Sequence, residues 1–186
     1  MRKFLTLITF AFLFAPLSTM AVEKGGITMP DTLQAGGDSL TLNGVGIRSK
    51  FVFDLYVAGL YLKNKSSDAA AIIQSSDPMA IRLHIISGKI TSEKMSKGTR
   101  EGFDKSTGGN TSGISAEIDE FISAFSDPIK EGDVFEFVST TDGVNVTKNG
   151  SDKATIASPE FKQALFGIWL SDHPVQGKLK KGMLGK

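Results

Sequence analysis

Few side chains in this sequence can do chemistry. His84 and His173 are its two histidines and stand 89 residues apart. There is no cysteine, which excludes thiol nucleophiles, iron–sulfur clusters, thiolate zinc sites and disulfide scaffolds. No HExxH, GxSxG, phosphate loop or dinucleotide fingerprint after a strand occurs. Gly44-Val45-Gly46 reads as a turn, and a serine triad would have to recruit a histidine with no local motif. The most informative group is Arg82 and His84, which alternate with Leu83 and share a strand face with Ile86. A cation among aliphatics is costly to bury unpaired. Either this face is exposed, with Arg82 on a surface carboxylate, or it is a pocket wall. In the second case Arg82 holds an anion, and His84 donates a hydrogen bond or binds a metal. Arg48 and Lys50 add positive charge nearby, and the Tyr56 hydroxyl needs a partner if buried. His173, in Ser171-Asp172-His173-Pro174, reads as a solvent-facing turn, and Trp169 as core.

These residues must be positioned by strands and helices in alternation. Ser39–Leu42 alternates and is followed by a bend at Asn43-Gly44 and Gly46. Phe51–Leu62 reads as a long strand. In Met79–Ile86, Met79, Ile81, Leu83 and Ile85 take one face, and Ala80, Arg82, His84 and Ile86 the other. Val134–Ser139, Val144–Lys148 and Lys153–Ala157 form a meander turning at Asp142-Gly143 and Asn149-Gly150. Helical spacing links Ile114, Ile118, Phe121, Ile122 and Phe125. Ser158-Pro159 starts a helix that buries Phe161, Ala164, Leu165 and Ile168. Shorter helices are expected over 66–75 and 176–184. A weak one is expected over 92–105, where Gly98 and Gly102 each cost about 1 kcal/mol relative to alanine. Clustered strands with helices predict an α+β fold, helices packed on an antiparallel sheet.

Composition bounds the class. The chain has 186 residues, 40% hydrophobic and 22% charged, which suits one globular domain. A net charge of +1 argues against a nucleic-acid partner. Residues 1–21 read as a signal peptide. Arg2 and Lys3 are positive, Phe4–Ala15 is almost wholly apolar, and Thr19-Met20-Ala21 supplies small residues at the cleavage positions. The apolar run is shorter than the ~20 residues of a membrane span, so no stable anchor is expected, and no cysteine is present for lipidation. The expected mature chain is one domain, 22–186, and export without cysteine points to a bacterial periplasm.

The stretch Leu42–Leu62, LNGVGIRSKFVFDLYVAGLYL, resembles the chalcone isomerase superfamily, with its G-x-G-x-R turn and a long strand ending in G-x-Y-L. Phe161–Gly185, FKQALFGIWLSDHPVQGKLKKGMLG, is similar to the close of the bacterial chalcone-isomerase-like branch. The resemblance implies an open-faced β-sandwich: a large antiparallel sheet, a layer of helices, and a ligand cleft between them. It matches Arg48 to the catalytic arginine. Tyr56 stands at a threonine position, and Thr91 and Gly98 stand where plant enzymes carry tyrosine and asparagine. Without those two side chains the oxyanion donors are missing, so the fold is implied but chalcone cyclisation is not. Gly98 widens the cleft, Met95 and Phe103 supply apolar walls, and close packing is the alternative use of Gly98 and Gly102.

Three classes of function follow. The first is a monomeric, non-catalytic binder of a small apolar or amphipathic ligand: a fatty acid, or haem with His84 on the iron. Its ligand-binding residues are Arg48, Tyr56, Arg82, His84, Thr91 and Gly98. The second is an isomerase or intramolecular lyase using Arg48, Tyr56 and Thr91 on an unidentified substrate. The third is an envelope partner or chaperone-like protein without a small ligand.

Overall fold

The computed structural model describes residues 22–186, so the expected signal peptide lies outside the described residues. Seven antiparallel strands form one sheet in simple chain order: β3 (Thr32–Ala35), β4 (Asp38–Lys50), β5 (Phe53–Leu62), β6 (Met79–Ile85), β7 (Val134–Thr140), β8 (Gly143–Lys148) and β9 (Ser151–Ile156). A separate hairpin, β1 (Val22–Lys24) and β2 (Ile27–Met29), packs against β4. The helices are α1 (Ala69–Gln74), α2 (Ser92–Ser106), α3 (Ser115–Ser123), α4 (Pro159–Leu170) and α5 (Gly177–Met183). This is the expected α+β architecture. The β8–β9 turn fell where the Asn-Gly signal put it: Asn149 and Gly150 both have positive φ, as a two-residue hairpin loop requires.

Alternation along the strands creates two cores. The helix-side face carries Tyr56, Ala58, Leu60, Ile81, Leu83, Ile85, Phe135 and Phe137 against helix residues including Phe103, Phe121, Phe161 and Trp169. Aromatic rings dominate it, with Phe121 and Phe137 centroids 5.1 Å apart and Phe137 stacked on Trp169 at 5.9 Å. Each fully buried ring contributes about 1.5–3 kcal/mol. The outer face carries a smaller core of Met29, Leu40, Leu42, Val45, Val57, Tyr61 and Ala80.

Strand β4 departs from the expected bend. It runs on to Lys50, with a β-bulge at Asn43: Leu42 pairs with Tyr61, and Gly44 already pairs with Leu60. The extra residue shifts the alternation by one. Leu40 and Leu42 point to the outer core, whereas Gly44, Gly46 and Arg48 fall on the helix face. The bulge is held by the Asn43 amide. Its Nδ2 donates to the carbonyls of Ser66 and Met183, both at 2.9 Å, and its Oδ1 accepts from the Ser66 N–H at 2.8 Å. Gly44 and Gly46 are needed because α5 lies directly on them. A Cβ at Gly44 would stand 2.4 Å from the Gly182 carbonyl oxygen, and one at Gly46 2.6 Å from that of Leu179. What looked like turn glycines are a seat for a helix.

Candidate functional site

Between the sheet and the helices lies a cavity of about 490 Å³, within the usual range for small-molecule sites. Its apolar wall includes Leu55, Leu83, Phe121, Phe125, Phe137, Ile168 and Trp169. One side is α2, whose N-cap Thr91 accepts from the Lys94 N–H at 3.2 Å. Lys94, Lys97, Gly98, Glu101 and Lys105 border the cavity at helical spacing, so one face of α2 forms its edge. Gly98 opens the space as expected, since a Cβ there meets nothing within 4 Å. Gly102 differs: its Cβ would stand 2.9 Å from Ile168 Cγ2, so it is a packing glycine between α2 and α4. Met95 lines the cavity. Phe103 instead sits wholly in the core, its ring 5.5 Å from that of Phe161.

Arg48 and Tyr56 are cross-strand partners on β4 and β5, and both line the cavity. The Trp169 indole N–H donates to the Tyr56 oxygen at 3.1 Å. Burial pushes the Tyr56 hydroxyl above its ordinary range, outweighing the opposing pull of the indole bond and the Arg48 charge. Tyr56 is therefore a neutral donor at physiological pH. Its oxygen is already hydrogen-bonded, and its proton has no acceptor among the described residues. Arg48 Nη1 donates to the Ser49 carbonyl at 2.8 Å and to Gln176 Oε1 at 3.4 Å. The same Gln176 oxygen accepts from the Ser49 N–H at 3.0 Å. No carboxylate pairs with Arg48 among the described residues. A partly buried guanidinium without a counter-ion, beside a hydroxyl whose proton is unused, has the chemistry to receive an anion.

Arg82 and His84 do not join this group. They sit on the outer face of β6, opposite the cavity, and Arg82 forms an ion pair with Glu136 on neighbouring β7. The pocket-wall reading of that face is thus corrected to the other alternative, a cation on a nearby carboxylate. Burial lowers the basicity of His84, and the Arg82 charge lowers it further. No histidine lines the cavity, so the haem reading loses its iron ligand. Thr91 is likewise outside the cavity lining; it is exposed and committed to capping α2. His173 is exposed, as expected for a turn. Sequence reasoning missed Trp169 and Gln176 as parts of the site. Trp169 follows directly on the apolar stripe ending at Ile168, and its indole N–H was the available signal, because a buried indole nearly always finds an acceptor.

Residues 21–185 match the family described as chalcone isomerase-like. No curated protein matches the chain. Among solved structures, the fold is similar to the crystal structure of a fatty-acid binding protein of Arabidopsis thaliana. The TM-score is 0.70 at 17% sequence identity, over 88% of this chain and 95% of that one.

Proposed function

Since the chain belongs to the chalcone isomerase-like family, we propose that it is a non-catalytic carrier of a fatty acid, of that family's bacterial branch. It is exported to the periplasm by cleavage after Ala21 and acts as a monomer without a stable anchor. The observation that carries this reading is the Arg48–Tyr56 pair, a guanidinium with no carboxylate partner and a hydroxyl with an unclaimed proton, on the wall of an apolar cavity. A carboxylate takes two charge-assisted bonds from Arg48 and one from Tyr56, while its chain replaces water along the Phe121–Phe125–Phe137 wall. The fatty-acid binding protein of similar fold supports the choice of ligand class.

Two substitutions speak for binding over chalcone cyclisation. Thr91 is occupied as a cap, and Gly98 has no side chain, so neither supplies an oxyanion donor. Each missing donor costs about 10²–10³ in turnover. Purified protein is expected to make no flavanone from chalcone at a rate near that of the plant enzymes; such a rate would restore the enzyme reading. Haem has no supporting observation, because His84 faces the wrong way.

Native mass spectrometry of protein purified from its own host tests the proposal. The expected mass spectrum shows one fatty acid per chain starting at Val22, and the absorption spectrum of the same sample shows no Soret band. A chain that is empty and takes up no added fatty acid would overturn it. An empty chain co-purifying with another envelope protein would point to the partner reading instead.

A further inference from the structure

The β4–β5 hairpin carries a feature the fold does not need. Its two loop residues, Phe51 and Val52, are 92% and 87% exposed, and Phe53 beside them is 44% exposed. Among the described residues, Val22 is the one other exposed large hydrophobic, so the exposed apolar surface is concentrated at this tip. Phe51 also has φ +56°, a left-handed backbone conformation that bulky residues rarely adopt and that glycine or asparagine would take without strain. The sequence thus places a strained aromatic side chain where neither packing nor turn geometry rewards it.

The tip stands at the cavity. Phe51 and Phe53 line it together with Lys50, Lys89, Lys94, Lys97 and Lys105, against a single acid, Glu101. None of these five lysines forms an ion pair among the described residues. The Lys89 ammonium lies 4.2 Å from the Phe53 ring centroid, so charge and aromatic surface are presented side by side. Among the described residues no helix is long and apolar enough to cross a membrane. Exposed aromatic and aliphatic side chains bordered by unpaired lysines are the composition that inserts into a headgroup layer and is drawn to negative lipid.

We propose that the Phe51–Phe53 tip docks the protein on an anionic bilayer surface, setting the cavity against the lipid so that its ligand enters and leaves without crossing water. The ligand-transfer part rests on the fatty-acid reading; the docking part does not. Charge complementarity selects the occupant, because the lysines would repel one another in a head-to-head pair of chains, whereas a negative surface satisfies all five.

The test uses the chain spanning 22–186, which contains the whole sheet and both cores. Co-sedimentation is measured with vesicles of phosphatidylcholine alone and of phosphatidylcholine mixed with phosphatidylglycerol, with no fatty acid added. Binding to the mixed vesicles, weakened by salt and at least tenfold weaker to the neutral ones, is expected. Val52→Asp should weaken it by at least tenfold with no change in Tm, because Val52 touches neither core. Fatty-acid affinity in the absence of vesicles should be unchanged by Val52→Asp, since Val52 does not line the cavity. Phe51→Ser should likewise lose vesicle binding. Absence of binding to the mixed vesicles, or binding indifferent to Val52→Asp, would overturn docking even if fatty acid binds in solution. A chain that docks yet takes up no fatty acid would overturn the carrier reading and leave docking standing. Concentration-dependent dimerisation abolished by Val52→Asp, without vesicle binding, would assign the tip to a second copy and refute the membrane proposal.

Discussion

Arg48 with Tyr56 on the helix face and Arg82 with Tyr61 on the outer face are the same two residue types on neighbouring strands of one sheet. Their surroundings differ in one respect. On the outer face both groups have a partner: Arg82 pairs with Glu136, and the Tyr61 hydroxyl donates to the Pro30 carbonyl at 2.9 Å. On the helix face Arg48 has no carboxylate, and the Tyr56 proton is unclaimed among the described residues. The outer pair closes a structure, and the inner pair leaves a valence for a ligand. What separates them is saturation, not residue type, and the sequence records saturation only through contacts made far along the chain.

The contrast can be broken most severely at its origin, the bulge. Asn43→Ala leaves the Ser66 N–H and two carbonyls without their partner. At about 1–3 kcal/mol for a buried group left unsatisfied, the expected loss is about 3 kcal/mol by urea denaturation. If β4 slips to regular pairing, Arg48 also leaves the cavity and fatty-acid affinity falls with stability. Next in size is Arg48→Ala, which should weaken fatty-acid binding by about 1.5–3 kcal/mol, the range for a hydrogen bond to a charged group, measured by titration calorimetry.

Tyr56→Phe should cost about 1 kcal/mol in binding and a similar amount in stability, since it also orphans the Trp169 N–H. It also carries a pH signature. Burial raises the folded-state pKa of Tyr56 above its unfolded value. The stability held by the neutral hydroxyl is therefore full below about pH 10, the unfolded value, and lost as pH rises past it. Unfolding curves of Tyr56→Phe should show a shallower alkaline decline, because Tyr61, also raised by burial, keeps its own share. Smaller still is Gly98→Ala, which meets open space and should stabilise α2 by up to about 1 kcal/mol, whereas Gly102→Ala meets Ile168 and should gain nothing. The comparison is sharpened most by a null effect on binding. Arg82→Ala should lower stability by about 1 kcal/mol and leave fatty-acid affinity unchanged.

Local signals carried much of the fold. The Asp142-Gly143 and Asn149-Gly150 turns located the β7–β9 meander, and Ser158-Pro159 with its apolar spacing located α4. Strands β1–β3 went unread, being three or four residues long with little alternation. Of the site, Arg48, Tyr56 and Gly98 were legible through the family resemblance. Arg82 and His84 were assigned to the wrong face because alternation tells which residues of β6 share a side and not which side the helices cover; Met79, Ile81, Leu83 and Ile85 hold that side. Gly44 and Gly46 read as a bend because the helix seated on them comes some 135 residues later in the chain. The indole bond to Tyr56 spans 113 residues and leaves no local trace.

Trp169 is the one tryptophan of the chain, and it both lines the cavity and holds Tyr56. Its fluorescence therefore reports on the site without a label. Titration with a fatty acid should shift Trp169 emission saturably at one ligand per chain, and Arg48→Ala should weaken the response at least tenfold while Arg82→Ala leaves it intact. Fatty-acid binding by calorimetry with Trp169 emission unmoved, or with equal sensitivity to Arg82→Ala, would place the ligand elsewhere and contradict the account.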